Sequence, residues 1–551
     1  MRIVECVPNF SEGRNKEIIN KIAETIKNTS GVSLLNVDAG YDTNRTVYTF
    51  VGEPENVLNA AFNAIKVASE LIDMSKHKGA HPRIGACDVC PFIPVSQVSM
   101  DDCIKLARTL GKMVGDILGI PVYLYEYAAT KPERKNLANI RAGEYEGLQE
   151  KLKDIEWVPD FGPSIFNERV KRTGAVVIGA RDFLIAYNIN INSKNKNLAN
   201  SIAKEIREMG KTIKDENGNK VNVPGRLKEC KAIGWYVEDY KRAQISINLT
   251  NYNVTNMHDA FEAAKEEAEK IGVRITGSEI VGLVPKEAIL KAGLFYLEKQ
   301  GESRAVSEKE IIDIAIYSLG LNEVAPFDPD KKIIENLIEK KDLLSKLSIA
   351  DFTDELGSSS PAPGGGSVSA LAGSIAASLG AMVGNLTYKK KDYKEYWEEA
   401  ERLAYEAFKI KNNLISLINE DTNAFNNLMS AYRLPDKTEE EKKIKEEAIN
   451  ETTKNAILIP LKVMQYCKEI SPILLRLSEI GNKNAISDVA VGILCLLTAL
   501  KGAYYNVLIN FKNFNDETFK KDINERAESI LNELIPKLEN KLNELEDYLK
   551  K

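Results

Sequence analysis

Phe327-Asp328-Pro329-Asp330-Lys331 is where the 551-residue chain changes character. Upstream, short β-rich apolar runs alternate with amphipathic ones; downstream the periodicity is helical almost without break to Lys551. Pro329, the charged run to Lys341 and Leu343-Leu344 read as a helical linker. A chain of this length exceeds one hydrophobic core, so at least two domains are expected. The expectation is an α/β half of two subdomains, residues 1–173 and 174–327, then a linker over 328–346 and an all-α bundle over 347–551.

Upstream, Arg2–Val7, Val32–Val37, Thr46–Val51 and Pro121–Tyr127 read as strands, between helices near Ile18–Ile26, Val57–Met74 and Asp101–Leu118. In Tyr187-Asn188-Ile189-Asn190-Ile191-Asn192 and Ile245-Ser246-Ile247-Asn248-Leu249-Thr250, apolar and polar residues alternate strictly. Period two means a sheet with one buried and one polar face. Asparagine is a poor strand former, so two readings stand: a solvated face, or a ligand floor of amide donors and acceptors. Helices near Met257–Ile271 and Glu308–Leu319 complete this unit.

The chain has three histidines, and two lie in His77-Lys78-Gly79-Ala80-His81-Pro82-Arg83-Ile84-Gly85-Ala86-Cys87-Asp88-Val89. Gly79 breaks any helix and Pro82 biases His81 towards extended backbone, so this is not the helical two-histidine face of a zinc protease. His81 is expected on a loop before a strand, where it is either a surface residue or a proton carrier. Cys87-Asp88-Val89-Cys90 is a CxxC, but it runs into apolar Pro91–Val95 and has no second pair. A buried strand suits it better than a metal site.

Downstream, Leu414, Leu417, Ile418, Asp421, Ala424, Phe425 and Leu428 recur at three and four residues, forming one helical face. Asp421 is thus a carboxylate on an apolar stripe, either pinned by a structural partner or held as a general acid by desolvation. Gly364-Gly365-Gly366-Ser367 opens a helix and offers free N–H groups to an anion. Lys389-Lys390-Lys391 ends that helix, as a solvated cluster or a lure for an anionic tail. Asp488 is another carboxylate in apolar company. Leu356–Tyr388 carries no charge, and Val489–Phe511 only Lys501. Both suit buried bundle helices better than membrane spans, the first being dominated by small residues. Ile523, Ile530, Leu534, Leu538, Leu542 and Leu545 recur near heptad spacing, which reads as packing and an interface helix.

Net charge is −6, which argues against nucleic-acid binding. Seven scattered cysteines suit reduced thiols, and the amino terminus lacks the apolar core of a signal peptide, so a cytoplasmic location is expected.

Cys6-Val7-Pro8-Asn9-Phe10-Ser11-Glu12-Gly13, Asn44-Arg45-Thr46-Val47 and His81-Pro82-Arg83 together resemble glutamate formiminotransferase. Ser360-Pro361-Ala362-Pro363-Gly364-Gly365-Gly366-Ser367 resembles formimidoyltetrahydrofolate cyclodeaminase. In this order, over essentially the full chain, they resemble the bifunctional formiminotransferase-cyclodeaminases. That resemblance implies formimino transfer from N-formiminoglutamate to tetrahydrofolate, then cyclisation to 5,10-methenyltetrahydrofolate with loss of ammonia, in histidine degradation. His81 matches the catalytic histidine and Asp421 the proton donor. Arg45 and Arg83 would clamp carboxylates, in motifs that include Asn44, and Asp38 would polarise the formimino nitrogen or orient His81. Gly162-Pro163-Ser164 and Gly174 match the ends of a folate-contacting loop whose charged middle, Asn167–Arg172, does not align. Gly364, Gly365, Gly366 and Ser367 would meet folate, with Asp488 second in rank. Tetrahydrofolate, as a polyglutamylated co-substrate, no metal and a homo-oligomer formed through the helical domain complete the expectation. Two rivals remain: one active half with a cyclohydrolase-like helical domain, or a helical domain that only assembles.

Overall fold

The computed structural model describes residues 2–41, 43–79, 82–216, 219–238, 240–338, 343–512 and 514–551. The chain divides into two compact units, Met1–Ala292 with Ile316–Ile338, and Gly293–Ala315 with Glu339–Lys551.

In the first unit, β1 (Ile3–Cys6), β2 (Asn9–Phe10), β3 (Val32–Gly40), β4 (Arg45–Gly52), β5 (Cys87–Ser96), β6 (Val122–Glu126) and β7 (Val176–Ala180) form one sheet. β1 and β2 are two pieces of one line, each paired with β4 and β5, so the order is β3-β4-β1/β2-β5-β7-β6. The amphipathic α1 (Lys16–Lys27), α2 (Pro54–Leu71) and α3 (Met100–Met113) bury one face over Ile22, Ile26, Tyr48, Phe50 and Phe92. On the opposite face, Ile140, Leu148 and Leu152 cover the β5–β7–β6 half, packing with Val89, Tyr123 and Val177. The β2–β4–β3 part is polar. There the register sets Asp38, Val47 and Asn9 in one row, with Arg45 two residues along β4.

β7 runs parallel to β5 and β6. The subdomain boundary expected at 173/174 therefore falls after Ala180. A parallel neighbour must return by a long crossover, which makes the last strand of this sheet look like the first of the next.

β8 (Ile185–Ile191), β11 (Cys230–Val237), β12 (Arg242–Leu249) and β13 (Ile275–Val281) form an antiparallel sheet ordered β11-β12-β8-β13, after a separate hairpin of β9 (Lys211–Lys214) and β10 (Lys220–Val223). α4 (Lys196–Ile206) and α5 (Met257–Lys270) pack on it. The amide face is solvated only at its ends, Asn192 and Asn248: Asn190 and Gln244 are fully buried and bonded to each other, Asn190 reaches Glu323, and Asn188 and Gln244 reach Glu279. Nor is 328–338 a free linker, because Ile333 bridges Val284 and both Ile333 and Ile334 are buried.

α6 (Lys286–Lys299) and α7 (Glu308–Leu319) straddle the division. Residues 293–315, expected with the α/β half, instead join the helical unit, where Arg304 forks onto Glu401 and Ser303 donates to Asn385. That unit is built from α8 (Gly365–Thr387), α9 (Trp397–Tyr432), α10 (Glu439–Ile480), α11 (Ile486–Phe511) and α12 (Glu517–Leu549). Ile523, Ile530, Leu534, Leu538 and Leu545 are spent in the core of their own chain, so the heptad-like stripe is packing rather than a free interface. α8 and the helical stretch of α11 are long and apolar enough to cross a membrane, and 61% and 44% of their most apolar windows are buried here. Their outer faces expose Ile375, Met382 and Leu386, and Val491, Leu494, Leu508 and Ile509.

Candidate functional site

His81 lies outside the described residues, as does Ala80, but the loop on either side of them is closely held. Asn44, in a left-handed turn, accepts from the Gly13 N–H through its side-chain oxygen and donates to the Lys78 carbonyl. A Cβ on Gly79 would strike the Thr43 carbonyl, so only glycine lets the loop lie against that turn. His77 lies 2.9 Å from the Asn44 carbonyl through Nε2, and its Nδ1 receives Arg83 Nε at 3.2 Å. Because arginine can only donate, Nδ1 is the acceptor and Nε2 carries the proton. Burial holds the His77 pKa below its ordinary value, which keeps the ring neutral. Downstream of the loop, Gly85 and Gly174 cross backbone to backbone, each too close to the other strand for a Cβ.

Arg83 does not present a free fork. It binds Glu146 through both terminal nitrogens, at 2.7 and 2.8 Å, and Glu144 at 2.9 Å. Lys78, Gly79, Arg83, Gly143, Glu144 and Glu146 line an open cleft of about 530 Å³. Arg45 is placed otherwise: it forks onto Asn9 Oδ1 and lies 3.4 Å from Asp88. Asp88 is the residue that composition and spacing did not reveal. β5 slips register opposite Asn9 and Phe10, and the bulge turns Asp88 onto Arg45, Arg141 and the Ile84 N–H. Its side chain is 1% exposed, so a buried anion holds two arginines side by side. Asp38 is exposed on the same polar face.

The loop expected to contact folate divides. Gly162, at φ 80°, packs against the Ile120 carbonyl, while Ser164 is exposed and Pro163 half-buried. Asn167 caps a short helix, Glu168–Thr173, in which Arg169 binds the Leu118 carbonyl and Ser69, and Arg172 binds the Glu70 carbonyl. These arginines staple the chain to itself.

In the helical unit, Gly364 caps α8 without a side-chain bond, and Asp421 of α9 fills the gap. The Ser367 hydroxyl lies 2.9 Å from Asp421 Oδ2, and the carboxylate presses on the Cα of Gly366, where any Cβ would collide with it. Burial raises the Asp421 pKa; the Ser367 hydroxyl and main-chain N–H pull it back, without cancelling the rise. The glycine-rich start thus meets an anion supplied by its own chain. Gly365 adjoins Asn506 of α11. Asp488 does not join this site: α8 and α11 run antiparallel, and the 18 residues from Asp488 to Asn506 span roughly 27 Å along the helix. Lys389 and Lys390 are held by Glu302 and Asn482.

Family models match three consecutive segments: a formiminotransferase domain's N-terminal subdomain over residues 3–181, a formiminotransferase domain over 186–339, and formiminotransferase-cyclodeaminase over 348–529. The formimidoyltransferase-cyclodeaminase of Mus musculus is 45% identical over 535 residues, covering 97% of this chain and 96% of its own. The glutamate formimidoyltransferase of Thermoplasma acidophilum is 46% identical over 303 residues, 55% of this chain and 94% of its own. The methenyltetrahydrofolate cyclohydrolase of Methylorubrum extorquens is 36% identical over 186 residues, 34% of this chain and 89% of its own.

Proposed function

The chain belongs to the formiminotransferase-cyclodeaminase family, and on that premise we propose how its residues divide the work. It is a bifunctional enzyme, a glutamate formimidoyltransferase joined to a formimidoyltetrahydrofolate cyclodeaminase. N5 of tetrahydrofolate attacks the formimino carbon of N-formiminoglutamate, and the bond from that carbon to the glutamate nitrogen breaks. N5 loses a proton and the departing nitrogen gains one. N10 then closes on the same carbon, and the formimino nitrogen leaves as ammonia, giving 5,10-methenyltetrahydrofolate.

His81 is the proton carrier of the transfer, and the described chain on either side of it is held by Asn44, His77, Gly79 and Arg83. Arg45 and Arg141, joined by Asp88, receive a glutamate carboxylate, with Asp38 beside them on the polar sheet face. Arg83 orients the loop. In the second half Asp421 donates the proton with which ammonia leaves, and Gly364–Gly366 leave room for the pterin. A half-buried carboxyl group on the apolar face of α9, its pKa raised by burial, is the single observation that carries this reading. It also disfavours a purely assembling helical domain. We assign the pathway to histidine degradation. Arg181, Lys331 and Lys332, lining a cleft of about 490 Å³, support a polyglutamylated folate whose tethered tail raises the effective concentration at the second site. The uncovered apolar stripes of α8 and α11 support a homo-oligomer formed through the helical unit.

The test mixes the purified chain with formiminoglutamate and tetrahydrofolate, no metal added, and follows glutamate, methenyltetrahydrofolate absorbance and ammonia. Methenyl product with matching ammonia is expected. Glutamate without methenyl product would mean a silent second half, and no glutamate at all would overturn the role of His81.

A further inference from the structure

Ser367 is fully buried at the start of α8, with its hydroxyl oxygen among three partners: Asp421 Oδ2 at 2.9 Å, the Ile418 carbonyl at 3.1 Å and Thr422 Oγ1 at 3.2 Å. A serine hydroxyl has one proton and two lone pairs. A carbonyl cannot donate, and an ionised carboxylate cannot donate either. With Asp421 ionised, the single Ser367 proton must choose between Asp421 and Ile418. With Asp421 protonated all three contacts are satisfied together: Asp421 and Thr422 donate to the Ser367 oxygen, and Ser367 donates to Ile418.

We propose that Ser367 is a positioning residue for Asp421, turning its hydroxyl from the Ile418 carbonyl to the Asp421 carboxylate when Asp421 gives up its proton. The acid form is thereby held in a complete set of hydrogen bonds against Gly366, and the anion that remains is met at once by a donor that need only rotate. This inference rests on Asp421 as the proton donor of cyclodeamination and adds what governs it. No charge competes for the role. α8 has no charged residue between Gly364 and Tyr388. Titratable side chains on the neighbouring elements include Lys346 on the Leu344–Lys346 turn, Lys462 and Tyr466 on α10, and Lys501, Tyr504 and Tyr505 on α11, while Glu420, next to Asp421 on α9, pairs with Lys462. None of them enters the balance at Asp421, where burial is opposed only by Ser367.

The experiment supplies 5-formimidoyltetrahydrofolate to the full-length chain and measures kcat/KM for cyclisation against pH. Wild type, Ser367→Ala, Ser367→Cys and Asp421→Asn are compared, with calorimetric unfolding of the helical unit as the folding control. A general acid loses activity as pH rises through its pKa, so the basic limb reports Asp421. Ser367→Ala removes a donor to the anion and is expected to move that limb up by about one pH unit. Ser367→Cys, nearly isosteric but a weak donor, should move it less in the same direction. A limb that stays fixed or moves down in both variants overturns the proposal, even if the rate falls. Asp421→Asn should abolish cyclisation; if it does not, the assignment of Asp421 fails, an outcome separate from a fixed limb.

Discussion

The two candidate sites are built by opposite means. In the α/β unit the charges of the candidate site hold one another: Arg83 with Glu144 and Glu146, Arg45 and Arg141 with Asp88. In the helical unit one carboxyl group sits on the apolar face of a long helix, with no cation among the described residues setting its state. The first arrangement suits anionic substrates that must be gripped and exchanged. The second suits a proton held on a carboxyl group whose pKa burial raises, and given up once. Network against solitary group is a contrast that substitutions can break.

The largest expected effects are crossed. His81→Ala should lower formimino transfer by about 10²–10⁴-fold and leave cyclisation of supplied 5-formimidoyltetrahydrofolate unchanged; Asp421→Ala should do the reverse, by a similar factor. Assays of each half-reaction on the same preparations check this. Either substitution leaving both activities intact would sink the assignment of its site.

Next in size is Asp88→Asn. Removing the charge leaves Arg45 and Arg141 facing each other across a buried position, and breaking a buried ion pair by deleting one partner costs about 3–5 kcal/mol. Calorimetry should show the loss in unfolding of the α/β unit, together with a raised KM for formiminoglutamate. Unchanged unfolding and KM would mean the two arginines do not depend on Asp88. No such substitution exists for the helical site, whose carboxyl group has no ionic partner among the described residues to strand.

The same contrast decides what could be read from sequence. Asp421 stands out because a helix repeats every 3.6 residues, so one polar residue on an apolar stripe is visible in a single line of text. Asp88 carries no such local mark. Its role arises where β5 slips register against β2, whose Asn9 lies 79 residues before Asp88, and from Arg141 at the end of a short helix, Leu137–Arg141. No local period records such pairings. Asp488 fails for the converse reason: periodicity tells the face of a helix but not its level in the bundle. Arg83 was legible as a fork but not as one already filled, and β7 was misassigned because parallel pairing leaves no local mark. The order of elements was legible almost throughout, as each follows from its own apolar pattern.

The smallest prediction sets against each other two carboxyl groups whose pKa burial raises. Burial raises both Asp421 and Glu5, but Asp421 is bonded to Ser367, whereas at Glu5 burial is opposed only by the charge of Arg181, and its pKa rises to about 7. A group whose folded pKa lies above its unfolded value of 4.5 stabilises the fold fully below pH 4.5 and loses that contribution as pH climbs through 7. At pH 8 wild type therefore carries an ionised carboxylate that is 4% exposed. Glu5→Gln removes the charge and keeps the shape. It should raise the stability of the α/β unit at pH 8 by at most about 3 kcal/mol, the gain shrinking towards zero near pH 4.5. Calorimetric Tm values at the two pH values give the difference directly. A gain that does not change with pH would mean that the pattern comes from packing, and that Glu5 is held by something other than Arg181.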